Sequence, residues 1–273
     1  METAFRRAYQ PAEGALEEVL AHDGGAVDAA RLGDELWQVA HVVDANPTLR
    51  RNLADPSREG ADKAVLAERL LAGKVGAGTM HVVKAVAAQR WKSGGDLVSA
   101  LERLGVESVL THAQRSNRLG QVEDELFRFS RIVASTPDLQ AALSDRQSPG
   151  PSRAALVDRL LSVKTAPETV RLAKQAVSGV RGRRFDRSLE SYLEQAAAKQ
   201  DQVTATVTTA VPLSAGQLDR LVGILSQQYG RSVHANVVLD ENVVGGIRVE
   251  IGDEVLDGTV SHRLAEARRL MTT

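Results

Sequence analysis

The sequence predicts a mostly α fold: two tandem five- to six-helix bundles, residues 1–104 and 105–202, followed by a small α+β C-terminal domain, residues 203–273. Three observations lead to this prediction. Apolar residues recur at helical spacing through the first two-thirds of the chain. The same residue order returns there after ninety positions. Near the C-terminus, apolar and polar residues instead alternate between glycine-containing turns, which is typical of strands.

The first bundle begins with an amphipathic stretch in which apolar residues step by three and four from Phe5 to Leu20. Gly24 and Gly25 then interrupt the helical pattern, and Pro47 later begins a short helix. Apolar periodicity with these start and stop signals predicts helices over about 5–20, 27–43, 47–53, 64–71, 79–91 and 97–104.

An internal repeat relates this bundle to the next stretch of chain. Displaced by ninety positions, Asp34-Glu35-Leu36 matches Asp124-Glu125-Leu126, and Trp37 matches Phe127. The register holds without a gap for about forty residues, which indicates a duplicated helical domain. Because residues 105–120 contain no proline and no serine-rich linker, we expect the last helix of the first copy to run almost directly into the second. Two rigidly connected bundles would result.

The C-terminal domain combines helical and strand patterns. Ser214 and Gln217 form a predicted capping box at the start of a helix that Gly230 ends. Alternation of β-branched and polar residues then predicts strands over 233–239 and 247–251, with a short apolar pair at 255–256. Thr259 is the predicted N-cap of a last helix. Its apolar residues are Val260, Leu264, Ala267 and Leu270.

The run LDENVVGGIRVEIGDEVLDGTVSHRL, with VPLS and YGR before it, closely resembles the C-terminal region of the δ subunit of F-type ATP synthases. In mitochondria this family is called the oligomycin-sensitivity-conferring protein. The residues of the ordered motif are Asp240, Gly245, Gly246, Gly252, Asp253, Asp257 and Gly258. The glycines also have a purely structural interpretation, as backbone positions in turns or at a close strand approach. The second helical copy resembles the family's N-terminal domain, and the first is an additional copy found in extended forms.

The resemblance implies a non-catalytic, peripheral-stalk subunit that takes part in ATP synthesis and hydrogen ion transport. In the family, the helical domain binds an amphipathic helix from the N-terminus of an α subunit, in a groove between its first and fifth helices. Carried onto the second copy, this groove would lie between Val109 and Ala113 on one side and Val170, Ala173 and Val177 on the other. The same residues equally fit the core of the bundle.

The family's C-terminal domain holds the membrane-anchored b subunits, so the resemblance implies α and b subunits as partners. It also implies one copy per complex and a peripheral location at the cytoplasmic face of the bacterial plasma membrane. The static link would keep the catalytic head from turning with the rotor. A general helical adaptor for amphipathic peptides is the alternative function.

Composition argues against several other classes of protein. A formal net charge of -1 and 3% aromatic residues give no reason to expect nucleic-acid binding. The absence of cysteine excludes disulfides and thiolate metal sites. We find no signal peptide, no direct membrane span, no cofactor motif and no metal-ligand spacing among the six histidines.

Charged clusters have two interpretations each. Asp34-Glu35 and Glu123-Asp124-Glu125 suggest paired carboxylates, but we expect them at helix starts, where they favour the positive end of the macrodipole. The basic run from Arg181 to Arg187 is either a solvated loop or a contact for an acidic partner surface or lipid headgroups.

Overall fold

The computed structural model describes residues 3–22, 28–145, 147–178, 184–200, 203–230, 233–240, 243, 245–251 and 254–258. The chain divides into two compact units, residues 1–197 and 198–273. The described elements are α1 (Thr3–His22), α2 (Ala29–Ala45), α3 (Pro47–Ala54), α4 (Gly60–Leu71), α5 (Ala77–Ala88), α6 (Gly94–Arg115), α7 (Leu119–Ser135), α8 (Pro137–Ser144), α9 (Gly150–Leu161), α10 (Pro167–Ser178), α11 (Phe185–Gln200), β1 (Val203–Thr209), α12 (Ala215–Tyr229), β2 (Val233–Leu239), β3 (Ile247–Ile251) and β4 (Glu254–Asp257). This element order confirms the predicted fold class.

The duplication is visible helix by helix in the first unit. Helices α7, α8, α9 and α10 repeat α2, α3, α4 and α5 with both ends displaced by ninety residues, for example Ala29–Ala45 and Leu119–Ser135. Pro47 and Pro137 each occupy the first position of a helix, where the missing N–H of proline costs no hydrogen bond. Matching starts and stops in the sequence therefore give matching helices.

Helix α6 belongs to both copies. Ser93 caps its start by accepting a hydrogen bond from the Asp96 N–H, and the helix then continues for 22 residues to Arg115. Its first half lines the hydrophobic cluster of the first copy with Leu97 and Leu101, and its second half lines that of the second copy with Val109 and Leu110. The predicted helix end at residue 104 is wrong, because nothing there breaks the helix. The predicted boundary between residues 104 and 105 lies inside α6.

The second unit contains a four-stranded sheet in the order β2-β1-β3-β4. β1 pairs in parallel with β2 and antiparallel with β3, and β3 pairs antiparallel with β4. Helix α12 forms the crossover between the two parallel strands, as parallel pairing requires. Ala205, Val207 and Val249 are buried on the face that packs with Leu225 of α12. The central strand β1 was not predicted from the sequence, whereas α12, β2, β3 and β4 lie where the patterns place them.

Candidate partner-binding surfaces

The structure brings together the five residues of the predicted groove. Val109 and Ala113 lie on α6, and Val170, Ala173 and Val177 lie on α10. All five belong to the hydrophobic cluster of the second copy, and the most exposed of them, Val170, retains only 8% exposure. They therefore pack inside the chain, and a partner helix would reach them only after the contacts above them opened. Their role in binding stays a prediction.

Helix α2 of the first copy lies over the α6 side of this region. A Cβ atom added at Gly33 would lie 2.7 Å from Cγ2 of Val109 and 2.8 Å from the carbonyl oxygen of Gly105, so the two helices pack backbone to backbone. Ser108 Oγ donates a hydrogen bond of 2.7 Å to the carbonyl oxygen of Ala29. An ion pair between Arg171 of α10 and Asp34 of α2 joins the same helix to the other side of the region. The additional copy is thus built into the second one.

Trp37 completes this shared interior. Its side chain belongs to the cluster of the second copy although α2 belongs to the first. The indole Nε1–H donates a 3.1 Å hydrogen bond to the carbonyl oxygen of Glu102, which satisfies its buried polar group. A rigid connection between the bundles was predicted from the absence of a linker, but this exchange of side chains between copies was not.

A polar network closes the end of the predicted groove. Glu168, at the start of α10, is 1% exposed and accepts hydrogen bonds from Arg118 and from Nδ1 of His112, the latter at 2.7 Å. Burial alone would raise the pKa of Glu168, but the hydrogen bonds from Arg118, its own backbone N–H and His112 outweigh burial and lower the pKa. The ionised carboxylate therefore ties α6 and the start of α7 to α10.

The acidic clusters have a function that the sequence interpretation missed. Glu35 accepts hydrogen bonds from the backbone N–H of Gly76 at 2.8 Å and from Thr79 Oγ1 at 2.6 Å, at the beginning of α5. Burial favours a raised pKa for Glu35, yet the bonds from Thr79, Gly76 and Arg31 lower the pKa overall. The carboxylate thus caps a neighbouring helix rather than its own.

The second copy repeats this cap at positions displaced by ninety residues. Glu125 accepts from the backbone N–H of Ala166 at 2.9 Å and from Thr169 Oγ1 at 2.6 Å, at the start of α10. The prediction that these clusters lie at the starts of their own helices is therefore wrong, since Glu35 and Glu125 lie one turn or more inside α2 and α7. The negative charges of Glu35 and Glu125 do favour the positive end of a helix macrodipole, but the helices concerned are α5 and α10.

Replacing Glu35 or Glu125 by alanine should lower the free energy of unfolding by about 1 kcal/mol each, as for other lost helix caps. The two effects should be similar because the two caps have the same geometry. Denaturant titrations of the full chain measure both. Asp124→Ala serves as the control, because Asp124 forms an exposed ion pair with Arg128 on its own helix. If the two substitutions lowered the free energy of unfolding by clearly different amounts, the two caps would not be energetically equivalent.

Gly245 and Gly246 of the C-terminal motif lie in the turn before β3. Gly245 and Gly246 have φ values of 66° and 82°, which disfavour residues with a Cβ atom. The N–H of Asp240 donates to the carbonyl oxygen of Thr209, and that of Gly258 donates to the carbonyl oxygen of Ile247. The turns before β3 and after β4 are therefore held to the sheet.

The remaining members of the C-terminal motif follow β3 in the sequence. Asp257 ends β4 opposite Arg248 of β3. Gly252 and Asp253 lie outside the described residues, as does the predicted helix from Thr259. Gly245 and Gly246 thus occupy a backbone turn, as the structural interpretation of these glycines predicts.

The remaining candidate features form no site within the described residues. Of the basic run, Arg184 and Arg187 form exposed ion pairs with Asp186 and Glu190, and residues 181–183 lie outside the described part. No group of three or more histidine, aspartate or glutamate side chains in the described ranges is placed to hold a metal ion. Among the helices that the structure describes, none combines the length and apolar content of a bilayer crossing.

The comparisons with known proteins agree with the motif. The family model "ATP synthase delta (OSCP) subunit" matches residues 106–271. The chain belongs to the ATP synthase delta (OSCP) family. Family membership also makes the chain a non-catalytic component of an ATP synthase, as predicted. The segment that matches the family model begins within α6.

Relatives in this family share the additional helical copy. The chain is 46% identical over 258 residues to ATP synthase subunit delta of Kineococcus radiotolerans, an alignment that covers 94% of this chain and 93% of that protein. It is 42% identical over 271 residues to the subunit delta of Streptomyces griseus, which covers 99% of both chains. The subunit delta of a Parafrankia strain is 42% identical with full coverage of both. The extended form predicted from the sequence is therefore shared by these delta subunits.

Proposed function

We propose that the chain is a peripheral-stalk subunit of the proton-translocating ATP synthase. In this function it links the N-termini of α subunits in the catalytic head to the membrane-anchored b subunits, at the cytoplasmic face of the bacterial plasma membrane. One copy per complex resists the torque of the rotor. The observation that carries this proposal is the match of residues 106–271 to the delta family, which joins the second helical copy and the C-terminal unit in one family segment.

The packing of the first unit suits a component under mechanical load. A linker between bundles would bend under torque, but here α6 is one helix of 22 residues that lines both hydrophobic clusters. The bundles also share Trp37 and the ion pair between Asp34 and Arg171. Displacing one bundle relative to the other would expose this apolar surface to water, which opposes bending.

Coupling in the assembled enzyme tests the proposal. Membrane vesicles containing the complete complex, and vesicles depleted of this chain alone, are compared for ATP hydrolysis and for ATP-driven proton pumping. Depletion should leave hydrolysis by the catalytic head and remove pumping, and adding back the chain should restore it. The chain should also co-purify with the α and b subunits. A depleted complex that still pumps protons at the full rate would overturn the proposal.

We propose further that the α-subunit helix binds between α6 and α10, as the resemblance implies. Methyl NMR of the full chain, with a synthetic peptide of the α-subunit N-terminus, tests this position. Addition of peptide should shift the methyl signals of Val109, Val170 and Val177, whereas Val82, which is buried in the cluster of the first copy, should be unaffected. Saturable binding with no change at these three valines would place the contact elsewhere.

A further inference from the structure

The two helical copies bury the aromatic residue at one equivalent position to very different extents. Trp37 of α2 is 7% exposed, whereas Phe127, at the same position of α7, is 55% exposed. An aromatic side chain left in water forfeits the free energy of burying its large apolar surface. In the second copy, α11 takes the place that α6 has in the first. The exposure of Phe127 therefore indicates that α7 packs less closely against α11 than α2 packs against α6.

Three glycines let α2 and α3 approach α6 closely in the first copy. A Cβ atom added at Gly105 would lie 2.5 Å from Cδ1 of Trp37, and one added at Gly94 would lie 2.6 Å from Cγ of Arg50. Gly33 is equally confined by Val109 and the Gly105 carbonyl oxygen. None of these positions has room for a side chain. The contact between α2 and α6 thus depends on residues without a Cβ atom.

The second copy has a side chain at each of these positions. Ninety residues on, Gly33, Gly94 and Gly105 are replaced by Glu123, Arg184 and Gln195. In addition, Phe185 at the start of α11 packs edge-on against Phe129 of α7, with ring centroids 5.8 Å apart. The second copy therefore lacks the glycines that allow the close contact between α2 and α6. A groove of about 560 Å³ remains between α7, α8 and α11, and we name it the α7–α11 groove.

The α7–α11 groove combines an apolar interior with an acidic edge. Buried Phe185 and Leu189 are among its lining residues, together with exposed Phe127 and Ala134 and half-buried Leu193. The charged side chains along it are Arg131 on the α7 side and Asp186, Glu190 and Glu194 on α11. The three carboxylates recur every four residues, so they form a line along one edge.

We propose that the α7–α11 groove binds a basic amphipathic helix from another polypeptide. Its apolar stripe would cover Phe127 and Leu193, and lysine or arginine residues one helical turn apart would face the line of carboxylates. Successive turns of α11 and of the bound helix advance by about 5.4 Å, so the two rows of charge match over two turns. Arg184 and Arg187 pair with Asp186 and Glu190 only at the exposed surface, and such pairs give way readily to a better-placed cation.

This site is separate from the proposed α-subunit site between α6 and α10, because its lining residues lie on α7, α8 and α11. The inference rests on the geometry of the repeat and on the acidic edge, and it does not depend on the proposed function. In methyl NMR spectra of the full chain with a bound peptide, shifted signals from methyl groups near Phe127 without a shift of Val109 would support this groove alone. Shifted signals from Val109 without shifts near Phe127 would support the other site alone.

Two synthetic peptides of about 20 residues test the groove against the full chain. Both carry the same leucine and alanine stripe at i, i+3, i+4 and i+7, flanked by lysines in one and by glutamates in the other. Fluorescence anisotropy of the labelled peptides gives the dissociation constants. The lysine peptide should bind about tenfold more tightly than the glutamate peptide, and this preference should fall as salt increases. Equal binding of the two peptides would overturn the proposal.

Matched variants locate the binding. Phe127→Asp and Glu190→Lys should each weaken binding of the lysine peptide about tenfold, because one places a charge on the apolar wall and the other reverses the charge of the edge. Val163→Asp is the control, since Val163 is 94% exposed and does not line the groove. Thermal unfolding confirms that each variant is folded, which their exposed positions favour. Unchanged affinity for Phe127→Asp would remove the groove as the binding site.

Two other occupants give different results. If residues 259–273 of the same chain filled the groove, replacing Arg263, Arg268 and Arg269 by glutamate in the full chain would raise the affinity for the lysine peptide. If a second copy filled it, sedimentation would detect a dimer that Phe127→Asp dissociates. Either result would overturn the assignment to another polypeptide. A monomer whose affinity is unaffected by the three arginine substitutions supports it.

Discussion

Replacing Glu168 by alanine should lower the free energy of unfolding by about 3 kcal/mol, the largest effect that we expect from a single side chain here. The carboxylate is 1% exposed and accepts hydrogen bonds from Arg118 and His112, so its removal leaves both donors without this acceptor at the start of α10. Denaturant unfolding of the full chain at neutral pH measures the loss. Asp124→Ala, which removes an exposed ion pair with Arg128, should leave the unfolding midpoint unchanged.

The effect of Glu168 should also depend on pH in a definite direction. Hydrogen bonding lowers the pKa of this carboxyl group in the folded chain below its unfolded value of about 4.3. The ionised group therefore adds stability above that pH, and this contribution is lost as pH falls through the lower folded pKa. The difference in stability between the natural chain and Glu168→Gln should shrink in this acidic range. A constant difference from pH 7 to pH 3 would contradict the assignment.

Replacing Gly105 by alanine should lower the free energy of unfolding by about 2 kcal/mol, although alanine is the better helix former. The added methyl group would overlap Trp37, whose indole also donates to the Glu102 carbonyl oxygen, so α2 would have to move away from α6. Chemical denaturation measures the loss. A red shift of tryptophan fluorescence should accompany it because the Trp37 indole would become more exposed.

Gly14→Ala is the matched control for this substitution. Gly14 also lies inside a helix, α1, but an added Cβ atom there meets no atom within 4 Å. Alanine should therefore raise the free energy of unfolding, by about 0.5–1 kcal/mol, through helix propensity alone. The two Gly→Ala substitutions thus have opposite expected signs. Destabilisation of equal size at both positions would show that close packing at Gly105 is not the cause.

Most helices followed from local patterns in the sequence. The ninety-residue repeat predicted two equivalent sets of helices, and the structure shows four pairs with identical displacement. Helix α6 was predicted too short because its apolar residues change partners near Gly105, from the first cluster to the second, while the backbone continues. β1 was missed although its alternating valines and threonines carry a strand signal.

The functional residues were harder to predict than the fold. The family resemblance placed Val109, Ala113, Val170, Ala173 and Val177 together, and the structure does bring them into one cluster. It also covers the α6 side with α2, which family analogy with a single bundle did not anticipate. The acidic pairs were correctly linked to helix N-termini but to the wrong helices, since Glu35 reaches Gly76 across 41 residues of chain.

The sequence by itself determined the duplicated helices, the strands β2 to β4 and membership of the delta family, because these depend on residue order within one or two elements. Only the tertiary structure decided that Trp37 is enclosed while Phe127 remains in water. The physical reason is the packing between helices that are distant in the sequence. Glycines allow α2 and α6 to touch, whereas the second copy has Glu123, Arg184 and Gln195 at the equivalent positions and a groove between α7 and α11. The residue pattern of a single helix does not show which distant helix packs against it.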